Sequence, residues 1–144
     1  MEGQVKVKVE SRSLFGGVAD VLHFEGSGQL EKTDYGWHLR YDAVNQEDGK
    51  SAIASDIKLE KELGRAVLIN ESADGGYGLL LDPKRTTATQ IQAGEGAMTL
   101  NVATKEVRWQ LGGKKQGSIA LQYGLLVGLK PMSVLKVSIK LEVE

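Results

Sequence analysis

Four aromatic residues, Trp37, Tyr41, Trp109 and Tyr123, fall on the apolar phase of alternating stretches and are the side chains here best suited to holding a ligand. Two indole N–H groups and two phenol hydroxyls on an apolar wall would be polar handles, because buried Trp and Tyr seek hydrogen-bond partners. The same four residues could instead fill a core and bond to backbone, and spacing does not choose between these uses. Catalytic and metal chemistry find less support. His23 and His38 both lie on the polar phase, and hairpin register sets His38 opposite Glu31. A site needing both imidazoles is therefore not expected, and no cysteine is present to complete one. A nucleophile, base and orienting acid must converge in space. Ser55 takes an inward phase that neither histidine shares. Glu95 and Asp56 are the carboxylates that could act as general acid or base inside a barrel, and no partner geometry is legible for either. No catalytic residue and no cofactor is assigned.

The glycine clusters Gly26-Ser27-Gly28, Gly75-Gly76-Tyr77-Gly78, Gly94-Glu95-Gly96 and Gly112-Gly113 invite a phosphate-loop reading. A phosphate loop needs a strand before it and a helix after it, so that amides and a helix N-terminus converge on the anion. Strand patterns follow these glycines, which makes them turns and bends. Gly112-Gly113-Lys114-Lys115 reads as a flexible basic hairpin loop that could touch an anion at a barrel mouth, although a charge pair on a turn is usually solvated.

The elements that must position these residues are strands. From Ser118 to Val143 nearly every second residue is apolar, with Ile119, Leu121, Tyr123, Leu125 and Val127 in one row and Leu135, Val137, Ile139, Leu141 and Val143 in another. Successive strand side chains point to opposite faces, so each row places one face on a core. Val5, Val7 and Val9 mark a first strand near residues 4 to 11, followed by a break over Ser11 to Ala19. Leu22, Phe24, Gly26, Gly28 and Leu30 alternate on a second strand, and Trp37, Leu39, Tyr41 and Ala43 on a third, with Asp34-Tyr35 as the turn. That turn sets Leu30 opposite Leu39 and Gly28 opposite Tyr41, where a ring covers the missing side chain. A second turn, at Thr104-Lys105, would set Val102 opposite Val107, Leu100 opposite Trp109 and Met98 opposite Leu111. Between the hairpins come Ile53, Ile57 and Leu59, then Val67 and Ile69, then Leu79 and Leu81, then Thr87, Thr89 and Ile91. Lys58 to Gly64 reads as strand, with a helical turn capped by Gly64 as the alternative.

Short strands with Gly-rich turns predict an all-β fold, an antiparallel meander of about 8 to 10 strands closing into a calycin/lipocalin-like β-barrel, with a sandwich as the alternative. Pairing of the first strand with the last would close it. Residues 1–144 carry no repeat or linker, so a single domain is expected. The 18 basic and 19 acidic residues are dispersed, for a net charge of -1, which offers no basic field for nucleic acid. No apolar run approaches the roughly 20 residues of a membrane helix. Met1-Glu2-Gly3-Gln4 leads straight into a strand without an apolar signal segment, so a cytoplasmic location is expected.

In the order of its elements the chain resembles the DUF1934 or YwiB-like family of bacterial proteins of unknown function. The resemblance is carried by Val5-Lys6-Val7-Lys8-Val9, Glu25-Gly26-Ser27-Gly28-Gln29-Leu30, Trp37-His38-Leu39-Arg40-Tyr41, the stretch Leu100 to Val107, and Ile119-Ala120-Leu121-Gln122-Tyr123. It implies a lipocalin-type barrel and no particular activity. The family's Tyr-x-Thr-Pro-Tyr-Gly segment corresponds here to Ile91-Gln92-Ala93-Gly94-Glu95-Gly96, in which the last glycine alone is kept, and a customary acidic residue is replaced by Ala43.

Three functions are compatible with these residues. The first is a barrel that binds a small apolar ligand, lined by Trp37, Tyr41, Trp109 and Tyr123. The second is a packed barrel acting as a structural or interaction module, including a homodimer formed through an uncovered strand or through Val127 to Leu129. The third is an enzyme working inside the barrel through Glu95 or Asp56.

Overall fold

The computed structural model describes residues 1–73, 75–93 and 96–144, with the side chains of residues 92 and 93 also outside the description. The described residues form ten strands: β1 (Gly3–Phe15), β2 (Val18–Lys32), β3 (Gly36–Asn45), β4 (Ala52–Glu60), β5 (Arg65–Ser72), β6 (Gly75–Leu81), β7 (Thr87–Ala93), β8 (Gly96–Gln110), β9 (Gln116–Val127) and β10 (Lys130–Val143). All belong to one antiparallel sheet in the order β6-β5-β4-β3-β2-β1-β10-β9-β8-β7, which curls into a nearly closed barrel. The fold is all-β, as the alternation predicts. Successive connections alternate between two ends. The lower end carries the β2–β3, β4–β5, β6–β7 and β8–β9 links with both chain ends, and the upper end carries the other five links.

The first strand pairs with the last, as the sequence suggests, and the meander is interrupted at another place. β1 and β10 pair over most of their length, from Val5 opposite Val143 to Phe15 opposite Ser133, and lie in the middle of the ladder. The seam falls instead between β6 and β7, which share no backbone ladder. Two threonine side chains bridge it: Thr87 Oγ1 donates to the Leu80 carbonyl at 2.5 Å, and Thr89 Oγ1 to the Gly78 carbonyl at 2.8 Å.

The β2–β3 register matches the sequence reading, with Leu30 opposite Leu39, Gly28 opposite Tyr41 and Glu31 opposite His38. A Cβ on Gly28 would lie 2.7 Å from Tyr41 Cβ and collide with the Arg40 carbonyl, so the absent side chain lets the two strands bend closely together. The first break is much shorter than expected. β1 runs on to Phe15, and the turn is Gly16-Gly17 alone, at φ 56° and 81°. Positive φ at both central residues is the type I′ geometry whose twist suits a two-residue hairpin. At the other doubtful segment, β4 ends at Glu60, and a turn over 61–64 closes on Gly64 at φ 61°.

Thr104-Lys105 is not a turn. β8 is a single strand from Gly96 to Gln110, and its register on β9 shifts between Thr104 and Glu106, the signature of a β-bulge. Leu100 and Trp109 therefore lie on one strand; Trp109 faces Ile119 and Val107 faces Leu121 on β9, while Leu100 faces Thr89 on β7. A bulge and a turn both reverse the inward phase, which passes here from Leu100 and Val102 to Val107, Trp109 and Leu111. On β5 the buried residues are Ala66 and Leu68, and Ile69 is 40% exposed, so that strand turns its other face inward from the row Val67 and Ile69.

The lower half of the barrel is filled by Val5, Val7, Leu30, Leu39, Ile57, Leu59, Leu81 and Leu111, all buried. Full burial of each such side chain contributes about 1.5–3 kcal/mol.

Candidate functional site

The interior is open toward the upper end. A pocket of about 280 Å³ lies between β1, β2, β9 and β10 on one side and β3 to β6 on the other. Its floor and walls are apolar, with Val9, Leu22, Phe24, Leu68, Leu121 and Ile139 among them. Polar groups reach it along one register row. Tyr41 on β3 lies opposite Ser55 on β4, Ser55 opposite Asn70 on β5, and Asn70 opposite Tyr77 on β6. Cross-strand neighbours on one face touch, and here they form a hydrogen-bonded chain. Ser55 Oγ donates to Asn70 Oδ1 at 2.5 Å, and Asn70 Nδ2 donates to Tyr77 Oη at 3.0 Å. The row climbs from Tyr41, 5% exposed, to Tyr77, 40% exposed at the rim.

Tyr123 enters from the opposite wall and is 2% exposed. Burial pushes its phenol well above the ordinary tyrosine value, and the neighbouring Tyr77 and Tyr41 phenols push the same way. Burial likewise raises Tyr41, opposed by the hydroxyl of Ser55. Both phenols are neutral donors at physiological pH.

The four aromatics of the sequence reading do not share one lining. Tyr41 and Tyr123 line the upper pocket, whereas Trp37 and Trp109 lie at the lower end, half-buried against the core. There they line an open cleft of about 920 Å³ with Tyr35, Leu63, Leu111 and Gly112. Sequence phase places all four inward, but height along the barrel depends on strand stagger. Asn70 and Tyr77 escaped the sequence reading because they lie on strands whose alternation is weak; their only signal is a polar residue in the same phase as buried Leu68 and Leu79.

The catalytic candidates stand apart. His38 Nε2 and Asp56 Oδ1 are 2.8 Å apart on the outer wall, so His38 bonds to Asp56 on β4 although its register partner on β2 is Glu31. Ser55 faces inward, away from this pair. His23 Nε2 lies 3.3 Å from Glu10 Oε1 at the surface. Glu95 lies outside the described residues. Arg108 pairs with Glu106 at 3.5 Å on the outer face, and Arg40 is exposed there. Lys114 and Lys115 are exposed in the lower β8–β9 loop. Among the described residues no three His, Asp or Glu side chains are grouped to hold a metal ion, and no helix is long and apolar enough to cross a membrane.

A nearly closed antiparallel barrel, with an apolar pocket open toward its upper end, defines the class of fold. The fold is similar to the crystal structure of the ywiB protein from Bacillus subtilis, with a TM-score of 0.77 at 18% identity, covering 99% of this chain and 93% of that one. The chain belongs to the DUF1934 family, described as a domain of unknown function, whose profile matches residues 7–139. A comparison with curated proteins finds no match.

Proposed function

We propose that this protein is a small-molecule-binding barrel of calycin-like type, and that its ligand occupies the upper pocket against Tyr41 and Tyr123. The observation that carries the reading is the combination of a 280 Å³ apolar interior space with a row of hydrogen-bonding side chains along one wall. Ligand sites are typically apolar concavities with a few placed polar groups. For scale, a dry apolar cavity of about 150 Å³ accepts benzene, so this one suits a compact ring system or a short alkyl chain. Trp37 and Trp109, at the other end, act in this reading as packing for the lower rim.

Native mass spectrometry of the purified protein, paired with a denatured spectrum of the same sample, tests the proposal. The expected result is an added mass that disappears on denaturation, and that is lost in Leu68→Trp, which fills the pocket. A bare chain mass that stays bare after incubation with a library of small neutral apolar compounds would overturn it.

The open seam favours a second reading, an interaction module that accepts a strand of a partner or of a second copy between β6 and β7. Among the described residues the two edge strands are joined by side-chain bonds without a backbone ladder, which leaves backbone groups for such pairing. A bare dimer in the native spectrum would support this reading over the first.

A further inference from the structure

The charge inventory of the upper pocket narrows the ligand class, on the reading that this pocket is the binding site. Among the described lining residues there is no Lys, Arg or His, and Glu71 is the one side chain ordinarily charged at neutral pH. The residues outside the description, at 74, 94 and 95, are Asp, Gly and Glu, so no cation is supplied from there. The nearest strand cations point away. Arg12 lies between the lining residues Ser11 and Ser13 on β1 and turns outward, where it bonds Glu10 at 3.1 Å. Lys136, between the lining residues Leu135 and Val137 on β10, is Arg12's partner across the β1–β10 ladder and shares that outer face.

Apart from Glu71, the polar side chains lining the pocket are neutral: the phenols of Tyr41, Tyr77 and Tyr123, the amide of Asn70, and the hydroxyls of Ser11, Ser13 and Ser72. We infer that the pocket selects neutral amphiphiles bearing a hydroxyl or carbonyl group, and rejects fatty acids and other carboxylates. A buried carboxylate without a countercharge carries a desolvation penalty that a few neutral donors do not offset, while a hydroxyl of the same chain length needs one or two hydrogen bonds. Tyr41 and Tyr123 are themselves buried, and that burial raises both phenols, as a poorly solvated wall does. Glu71 at the rim adds repulsion toward anions.

The test is isothermal titration calorimetry of the whole protein with 1-octanol and with octanoate at neutral pH, two probes of one chain length that differ in head-group charge. The expected result is that octanol binds and octanoate binds about 100-fold more weakly or not measurably. Octanoate binding as tightly as octanol, or tighter, would overturn the selectivity while leaving the pocket as a binding site. If neither binds, both the selectivity and the pocket reading fall. Leu68→Trp serves as the control that octanol occupies the interior, since its binding should vanish there and persist in Leu63→Trp, which lies in the lower cleft.

Discussion

Gly28 owes its identity to the strand beside it. Any side chain there meets the Arg40 carbonyl and Tyr41 Cβ, whereas Gly112, in the lower β8–β9 loop, has open space around its Cβ direction. Gly28→Val should lower the urea midpoint by the equivalent of about 1–3 kcal/mol, as overpacking does, and Gly112→Val should leave it nearly unchanged. Gly113 is a poorer control, because a Cβ there would lie 2.8 Å from the Gln116 carbonyl. The two buried phenols make a second prediction. Burial raises both above the value that they have in the unfolded chain, so the folded state favours their protonated form. Their contribution to stability is complete below about pH 10, the ordinary tyrosine value, and is lost as pH rises beyond it. Thermal unfolding followed across that range should show a steep alkaline decline, and Tyr123→Phe should flatten it. An unchanged decline in the variant would place the alkaline sensitivity elsewhere.

At the scale of the strand, the bulge in β8 is the instructive element. Thr104 sits at the bulge with its Oγ1 buried and without a hydrogen-bond partner among the described residues. Thr104→Val removes that hydroxyl at almost constant shape and should raise stability by about 1 kcal/mol, measured by urea denaturation. A loss of similar size would mean that the hydroxyl has a partner. The same bulge shows how far strands could be read from sequence. Alternation located Leu30 against Leu39 and Gly28 against Tyr41, because one short turn and two long apolar rows leave a single consistent register. Alternation also detected the phase reversal near Thr104, but a reversal alone does not separate a bulge from a turn. The absence of Gly, Asn, Asp or Pro at Thr104-Lys105 was the cue against a tight hairpin. On β5, Val67 and Ile69 outweighed Ala66 and Leu68 in apparent hydrophobicity, and the buried face is the one with the smaller residue. Tyr41 and Tyr123 could be read as inward from their own strands, whereas their separation from Trp37 and Trp109 depends on stagger accumulated around the whole sheet.

For the whole molecule, the unequal strength of the ladder sets where it opens. β1 and β10 are paired on both sides by long ladders, while β6 and β7 each have one ladder and meet across two threonine hydroxyls. Amide hydrogens of β6 and β7 that face the seam should exchange well before those of β1 and β10, as opening at an edge needs less free energy than global unfolding. Uniform protection across all ten strands, seen by hydrogen exchange, would show that the seam is closed as firmly as the rest.

The ladder's midpoint also makes the order of the strands along the chain separable from the shape they build. Val143 N bonds to the Lys115 carbonyl and Glu144 N to the Gln4 carbonyl, so the end of β10 lies beside the start of β1. A short linker joining them, with new ends cut in the 82–86 link, would give a circular permutant beginning at β7 and finishing at β6. Every backbone ladder of the barrel would then connect strands adjacent in sequence, and the seam would become the meeting of the two termini.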